Sequence, residues 1–285
     1  MSTAVPDPSW VIGKHAFLRL KVLRRNHRTE IDPMCRRVPY QWQGVHYQDH
    51  DDQPFLLLHN SAGGFVEGDA AELHVWAEPE TRFLITTTAA TKFYRCESGQ
   101  TSVDAVDVTL GEGALLEYLP DEVIPYAQSR VARATRIDLR SSSRLFASDL
   151  ISAGRINFRE GEAFAFAALR SEVQVRIDGK LAVLDRLQVK QAEEVAALKR
   201  LWNGRRHLGT VCAYAPDLPM AVEDKVHELL GELEGTEAGV TRLGNLVVVR
   251  LLATDVWQAH GGIYAVWQAL RPAIAGKPAR PIVKC

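Results

Sequence analysis

The sequence is poor in cysteine and has no long apolar run. Its four cysteines are widely separated, which argues against a disulfide framework or a Cys-x-x-Cys metal clip: Cys35, Cys96, Cys212 and Cys285. The longest apolar run, 246–253, is interrupted by Arg250 and is far shorter than the roughly 20 residues needed to span a bilayer. The N-terminus also lacks the apolar segment of a signal peptide. We therefore expect a cytoplasmic protein that makes no membrane contact.

An excess of charge of either sign is missing as well. The sequence has 34 Lys and Arg against 35 Asp and Glu, a formal charge of −1, so no overall attraction to nucleic acid is expected. Basic residues are dense between Lys14 and Arg37, where Leu18, Leu20 and Val22 alternate with charged residues. That alternation is typical of a half-buried strand with one solvated face, and we predict no nucleic-acid partner.

Common catalytic signatures are absent too. The chain has no Gly-x-Ser-x-Gly elbow, no Walker-type phosphate loop and no His-Glu-x-x-His. The one tight group of possible metal ligands is His46, His50, Asp51 and Asp52, whose donor types suit nickel or zinc. An exposed polar loop is the competing interpretation of that segment.

Period-two alternation recurs through the first two-thirds of the chain and predicts many short strands. The clearest case is 173–189, where Asp178-Gly179 separates two alternating runs. Asp-Gly is a strong two-residue hairpin turn, because glycine adopts a positive φ without a Cβ clash. The pattern predicts a mainly β fold.

Helical patterning is confined to the last third. The segment 191–202 is a weak candidate, and 219–233 is stronger, with an apolar stripe and Pro219 in the first turn. A further helix is predicted over about 255–271, with Thr254 as its cap and Pro272 as its stop. The last two are the predicted C-terminal helices.

Two loop-like segments are unusual in composition. In 60–69, three glycines lie within six residues and Asp69 is placed to bond its own turn. In 86–95, a run of small and hydroxyl residues leads to Lys92. Such residues either satisfy buried backbone groups or line a polar passage, and both interpretations stay open at this point.

Seven segments in the same order along the chain resemble the UreD (also called UreH) family of urease accessory proteins. The resemblance covers essentially everything from about Lys14 onward, and seven ordered matches with an Ala-Ala-Thr-Lys-Phe-Tyr core are specific. The segments are 57–69, 84–95, 116–124, 145–155, 161–164, 183–187 and 266–272. The sequence departs from the family's common pattern at Glu67, at Asp185 (commonly Glu) and at its C-terminal residues 280–285.

The resemblance implies a fold and a role. It implies a single β-helical domain over residues 14–285 that ends in helices, preceded by a disordered segment at 1–13. It also implies a non-enzymatic protein that joins a UreF-type partner and a UreG-type GTPase and docks them on apo-urease. Nickel would pass through its interior in transit, with no permanently bound cofactor.

The family pattern also suggests which residues perform these tasks. We expect a nickel path lined by oxygen ligands that bind weakly enough to release the ion: Asp69, Thr88, Thr91, Lys92, Asp149 and Asp185. Asp149 and Asp185 lie in strongly apolar surroundings, so each could equally be a structural carboxylate neutralised by Lys92 or Arg186. The aromatic residues proposed to contact partners are Trp257, Tyr264 and Trp267, and closing the end of the β body is their alternative role.

Two other classes of protein remain possible from the sequence. One is a β-rich hydrolase that uses Asp149 and Asp185 as its carboxylates. The other is a simple nickel-binding protein that uses the His46 and His50 cluster.

Overall fold

A computed structural model describes residues 14–158 and 161–284, so the predicted disordered segment 1–13 lies outside the described residues. Within them the chain forms seventeen strands and three helices, which confirms a mainly β protein. The strands are His15–Arg25 (β1), Arg28–Arg37 (β2), Tyr40–His46 (β3), Phe55–Asn60 (β4), Ala70–Ala77 (β5), Arg82–Thr87 (β6), Thr91–Phe93 (β7), Ser102–Leu110 (β8), Leu115–Leu119 (β9), Val123–Pro125 (β10), Arg130–Leu139 (β11), Arg144–Ser152 (β12), Ala168–Ile177 (β13), Lys180–Val189 (β14), His207–Tyr214 (β15), Thr236–Leu243 (β16) and Leu246–Ala253 (β17). The helices are Ala192–Leu201 (α1), Val222–Gly231 (α2) and Val256–Ala275 (α3).

The strands form two mixed sheets. The first, sheet A, has the order β14-β13-β11-β8-β5-β1-β2, and sheet B has the order β16-β17-β15-β12-β9-β6-β4-β3, with β10 bridging β12 and β7. From β4 to β13 the longer strands alternate between sheets, β4, β6, β9 and β12 in sheet B and β5, β8, β11 and β13 in sheet A. Neighbours within each of these sets pair in parallel, whereas the strands at both ends of each sheet pair antiparallel.

The predicted hairpin at Asp178-Gly179 is confirmed as the turn between β13 and β14. Both turn residues have a positive φ, 47° and 75°, which is the type I′ geometry that the Asp-Gly pair favours. Because β14 is a sheet edge and, within the described part of the chain, pairs with β13 alone, this turn sets which side chains of β14 face inward.

Two apolar clusters fill the space between the sheets, and a third lies between sheet B and the helices. The largest contains inward-facing residues such as Leu73, Ile85 and Val175 from both sheets. A smaller one, around Phe93 and Phe166, lies toward the other end of the same strands. The third packs α2 and α3 against the outer face of sheet B.

The two ends of α3 differ from the expectations based on the sequence. The cap of α3 is Asp255 rather than Thr254, because the Asp255 carboxylate accepts a hydrogen bond from the Trp257 backbone N–H at 2.7 Å. Pro272 does not stop the helix, which continues to Ala275 and ends at Gly276, with a left-handed φ of 72°. No helix of the described residues is long and apolar enough to cross a membrane.

Candidate functional site

The two unusual loop segments, 60–69 and 86–95, meet in one cleft at the edge of sheet B. The cleft has a volume of about 150 Å³. Its lining includes three of the residues predicted for the nickel path, Thr88, Thr91 and Lys92, together with the aromatic ring of Tyr40. The glycine-rich turn supplies the opposite wall through Gly63 and Gly64.

Close backbone contact explains why glycine occupies position 64. The Phe65 backbone N–H donates to the Lys92 carbonyl at 2.8 Å, and the Tyr94 N–H donates back to the Phe65 carbonyl at 2.8 Å. A Cβ added at Gly64 would lie 2.8 Å from the Lys92 carbonyl oxygen, closer than real Cβ atoms approach. The stacked rings of Phe65 and Phe93, with centroids 4.6 Å apart, hold the two segments together from the core side.

Asp69 belongs to the turn rather than to the cleft. Its carboxylate accepts the backbone N–H of Lys14 at 2.7 Å and that of Val66 at 3.0 Å. It therefore fixes the start of β1 against the turn before β5, as the sequence predicted for its own turn. Asp69 does not line the cleft formed by Thr88, Thr91 and Lys92.

A layer of buried polar side chains separates the two apolar clusters between the sheets. On β11, Arg133 lies on the inward face between Val131 of the smaller cluster and Ile137 of the larger one. On β12, Asp149 lies in the same way between Ala147 and Ile151. We call this set the polar layer: Asp104, Arg133, Asp149, Ser171, Asp185 and Thr210.

Arg133 lies at the centre of the polar layer. Its guanidinium donates from sheet A to the Asp149 carboxylate of sheet B at 2.5 Å and to the Ser171 hydroxyl at 3.0 Å. Only 6% of Arg133 and 7% of Asp149 is exposed. Burial opposes the charge on Arg133, but the carboxylates of Asp149 and Asp104 outweigh burial and raise its pKa.

Asp104 is a further acidic residue of the polar layer. It lies on β8, directly beside Arg133 of β11 in the strand register. Burial raises the pKa of its carboxyl group, and the nearby Asp149 adds to the effect, while Arg133 and a hydrogen bond from Tyr40 oppose it. One guanidinium therefore faces two carboxyl groups in a buried environment. Such a place favours either a protonated acid or an additional cation.

Asp185 is held at the far end of the layer. Its carboxylate accepts the Thr210 hydroxyl at 2.7 Å and the Arg250 guanidinium at 3.1 Å. Thr210 is in turn the register partner of Asp149 across β12 and β15. Asp149 and Asp185 are therefore close neighbours that flank one threonine.

The predicted neutralising partners of these two aspartates, Lys92 and Arg186, are wrong. Asp149 pairs with Arg133 and Asp185 pairs with Arg250, whereas Arg186 pairs with Glu172 on the outer face of sheet A. Lys92 instead lines the cleft. Because both aspartates are engaged by a guanidinium, they also do not form the free carboxylate pair that a hydrolase of this kind needs.

Tyr40 links the cleft to the polar layer. Its ring lines the cleft, and its hydroxyl group donates a hydrogen bond of 3.4 Å to the Asp104 carboxylate. A row of polar groups thus leads from the cleft to Asp104 and Arg133, on to Asp149, and through Thr210 to Asp185 and Arg250. The Arg250 side chain is about half exposed at the other end.

The sequence reasoning missed Tyr40, Asp104 and Arg133. A signal for two of them was present, because Asp104 alternates in phase with Val106 and Val108, and Arg133 alternates in phase with Val131 and Ile137. A charged residue on the apolar face of a strand predicts a buried pair. The identity of each partner depends on strand register between the sheets, which the sequence does not state.

A second buried ion-pair network anchors α3 to sheet B. The Glu117 carboxylate accepts the Trp267 indole N–H at 2.5 Å, the Gln53 amide at 2.7 Å and the Arg271 guanidinium at 2.9 Å. Arg271 also pairs with Asp49, which Lys277 contacts at 2.8 Å. The sequence reasoning missed this network, although two of the family-like segments, 116–124 and 266–272, supply Glu117, Trp267 and Arg271.

The three aromatic residues proposed for partner contact differ in exposure. Trp267 is fully buried between α3 and the outer face of sheet B, so it has no surface with which to touch a partner. Tyr264 is half-buried and tilts against Trp267 with a centroid distance of 5.3 Å. Trp257 is 81% exposed at the start of α3.

The His46 and His50 cluster does not converge. The Nε2 atom of His46 lies 3.0 Å from the Gln43 carbonyl oxygen, and Asp51 and Asp52 are engaged by Lys277 and Arg24. Among the described residues, the one group of three His, Cys, Asp or Glu ligand atoms within 4.8 Å of one another lies elsewhere, at Asp121, Glu122 and His260. The simple nickel-binding protein built on His46 and His50 therefore lacks a site.

Comparison with known proteins agrees with the resemblance noted in the sequence. The model of the family described as UreD urease accessory protein matches residues 14–284. A urease accessory protein UreD from Pseudomonas putida (strain GB-1) is 33% identical over 269 residues, which cover 94% of this chain and 93% of that protein. Those from Klebsiella pneumoniae and Cupriavidus pinatubonensis are 32% identical over 265 residues and 29% identical over 285 residues, covering 93% and 99% of this chain and 92% and 96% of the relatives.

Proposed function

The chain belongs to the UreD family of urease accessory proteins, and on that basis we propose that it conducts nickel between its two sheets during urease maturation. Proteins of this family are non-catalytic scaffolds for metallocentre assembly, and this chain shares that role. Nickel is therefore a cargo in transit, not a resident cofactor. The path runs from the cleft, past Tyr40, along the polar layer to Arg250.

The observation that carries this proposal is the row of neighbouring polar groups across an otherwise apolar core. Buried carboxylates are costly, because desolvation penalises the charged form unless a partner compensates for it. A core needed only for stability would be at least as stable with apolar residues in these positions. The presence of three acids between the sheets therefore fits a transport role better than a purely structural one.

The charges of the polar layer suit a dication. Three carboxyl groups, those of Asp104, Asp149 and Asp185, face two guanidinium groups, those of Arg133 and Arg250. The ligands available along the path are carboxylate, hydroxyl and phenol oxygens, which bind nickel more weakly than thiolates do. Weak, successive sites are what passage requires, because an ion that binds too tightly does not leave.

The proposal is tested by co-expressing a urease operon with variants of this chain and measuring the nickel content of the purified urease. We expect Asp149→Asn and Asp185→Asn to lower nickel content and urease activity while complex formation persists. Asparagine keeps the shape and hydrogen-bonding capacity of aspartate and removes its charge. Asp149→Ala and Asp185→Ala should act in the same direction.

A matched control is Glu172→Gln. Glu172 is also ion-paired, with Arg170 and Arg186, but it projects from the outer face of sheet A. Nickel content should stay at the wild-type level in this variant. Full activation by both aspartate variants, each shown to be folded, would refute the conduit.

We further propose that the partners are a UreF-type protein, a UreG-type GTPase and apo-urease, and that Trp257 and Tyr264 contribute to docking. Large exposed aromatic side chains are typical interface anchors, and Trp257 is more exposed than the other large hydrophobic residues of the described chain. Trp257→Ala should weaken co-purification of the UreF-type protein. Leu201→Ala, which removes a similarly exposed apolar side chain (77%) at the end of α1, should not. An unchanged complex with Trp257→Ala would remove Trp257 from the interface.

Two further expectations concern organisation and location. We propose that residues 14–285 form one β-helical domain, which is supported by the alternation of parallel strands between the sheets from β4 to β13. We also propose a cytoplasmic location. The described cysteines support a reducing compartment, because Cys35, Cys96 and Cys212 are all free thiols.

A further inference from the structure

Three potential metal ligands converge outside the polar layer, on the other side of sheet B. Asp121 and Glu122 follow β9, and His260 lies one turn into α3. One ligand atom of each lies within 4.8 Å of those of the other two. The His260 Nε2 atom is 2.8 Å from a Glu122 carboxylate oxygen. All three residues are partly buried, so they are accessible from solvent but held by the surrounding protein.

The backbone fixes this cluster against the wall of the cleft. The Thr87 hydroxyl accepts the Asp121 backbone N–H at 2.8 Å, and the Glu122 carbonyl accepts the Thr91 N–H at 2.9 Å. The two acidic residues are therefore held by the same segment that lines the cleft on its opposite side. Preorganised ligands of this kind reduce the cost of ordering side chains when an ion binds.

An independent observation beside the cluster points to a missing ligand. His207 is 4% exposed, and its buried Nδ1 atom has no hydrogen-bond partner among the residues that the structure describes. It lines, together with Glu122, a cavity of about 500 Å³ that opens beside the cluster. Buried polar atoms are nearly always satisfied, so this ring nitrogen lacks the hydrogen-bond partner that its burial calls for, close to Glu122.

A cation already occupies part of the cluster. The Lys284 ammonium group lies 2.5 Å from the Asp121 carboxylate. Lys284 lies outside the strands and helices of the described residues. This contact shows that the position favours positive charge. Within the cluster, two carboxylates and one imidazole are balanced by this single lysine.

We propose that Asp121, Glu122 and His260 form a binding site for one first-row divalent transition cation, such as Ni²⁺ or Zn²⁺, with water completing the coordination. One imidazole and two carboxylates suit these ions better than Ca²⁺ or Mg²⁺, which prefer oxygen ligands alone. Three protein ligands leave coordination positions open, which permits release of the ion. This site goes beyond the conduit, because none of its residues belongs to the polar layer.

The test is calorimetric titration of the purified full-length chain with Ni²⁺ and, separately, with Zn²⁺ and Mg²⁺. Wild type should bind Ni²⁺ and Zn²⁺ but not Mg²⁺ at this site. His260→Gln and Glu122→Gln should each lower the Ni²⁺ affinity by about tenfold or more. Equal Ni²⁺ affinity in wild type and in both variants would overturn the proposal.

His74→Gln is the matched control. His74 also lies between two carboxylates, with Nε2 at 3.1 Å from Glu72 and Nδ1 at 3.9 Å from Asp107. Those carboxylates contact opposite sides of the ring and cannot share one ion with it. His74→Gln should therefore bind Ni²⁺ like wild type.

A second measurement uses the wild-type chain alone, so it does not depend on whether a variant folds. Diethylpyrocarbonate modifies exposed histidines, and peptide mass spectrometry locates the product. In the wild-type chain, Ni²⁺ should protect His260 and leave the modification of His74 unchanged; equal modification of His260 with and without Ni²⁺ would contradict the proposal. Both measurements are made without urease, so failure of this site and failure of nickel conduction would be seen separately.

Discussion

Arg133 is the central positive charge of the polar layer. It neutralises Asp149 directly and also lies beside Asp104, and all three are buried between the sheets. A carboxylate left without its partner in such a place pays most of its desolvation cost. The stability of the polar layer should therefore depend on this guanidinium far more than on any surface ion pair.

Arg133→Met should lower the free energy of unfolding by about 3–5 kcal/mol, because it leaves buried carboxylates unpaired. Arg136→Met on the same strand breaks an exposed pair with Asp107 and should cost less than about 1 kcal/mol. Urea unfolding followed by circular dichroism measures both. Similar losses in the two variants would mean that the polar layer is wet enough to screen its own charges.

Cysteine reactivity offers a second check on burial. Cys212 faces the large apolar cluster, and burial raises the pKa of its thiol to about 12, with Asp185 and Asp149 adding to the effect. At pH 8 only about one thiol in ten thousand would be ionised. Iodoacetamide should therefore label exposed Cys35 in the folded chain and leave Cys212 unmodified until denaturant is added, as peptide mass spectrometry would show. Rapid labelling of Cys212 without denaturant would contradict the burial of this thiol.

At the scale of elements, local sequence patterns predict a strand hairpin correctly, but they do not predict where a helix ends. The alternation in 173–189 and the Asp-Gly turn predicted the β13–β14 hairpin, because a two-residue turn is determined by the residues inside it. The end of α3 was misplaced, because a proline three residues before the last one still fits the final turn and Gly276 provides the stop. The parallel pairing of distant strands depends on packing across the whole chain, which local periodicity does not encode.

Two glycines of α3 should respond to alanine in opposite ways. Gly261 is exposed and helical, and a Cβ there meets nothing within 4 Å, so Gly261→Ala should raise the free energy of unfolding by about 1 kcal/mol. Gly276 has a φ of 72° at the end of the helix, so Gly276→Ala should lower it by about 1–2 kcal/mol. Thermal unfolding compares the two, and a stabilising Gly276→Ala would show that α3 ends differently.

At the scale of the whole molecule, one ion-pair network joins segments that are far apart in sequence. Arg271 of α3 contacts Asp49, which precedes β4, and Glu117 of β9. The sequence identifies two of these segments as parts of a family pattern, but it does not show that they are in contact. This network fixes the positions of Trp267 and Glu117. Trp267, which the sequence suggested as a partner contact, is therefore part of the core.

The same network should make stability depend on pH in the acidic range. Burial raises the pKa of the Asp49 carboxyl group, but hydrogen bonds from Arg271 and Lys277 outweigh burial and lower it below its ordinary value. A carboxyl group with a lowered pKa in the folded state stabilises the fold above the unfolded-state pKa, near 4, and this contribution is lost as pH falls through the folded-state value. Asp49→Asn should therefore destabilise the chain at pH 7 and flatten the loss of stability in acid. Asp32→Asn, which removes an exposed carboxylate, is the control and should not destabilise the chain at pH 7. Identical profiles for Asp49→Asn and wild type would show that Asp49 does not hold α3 in place.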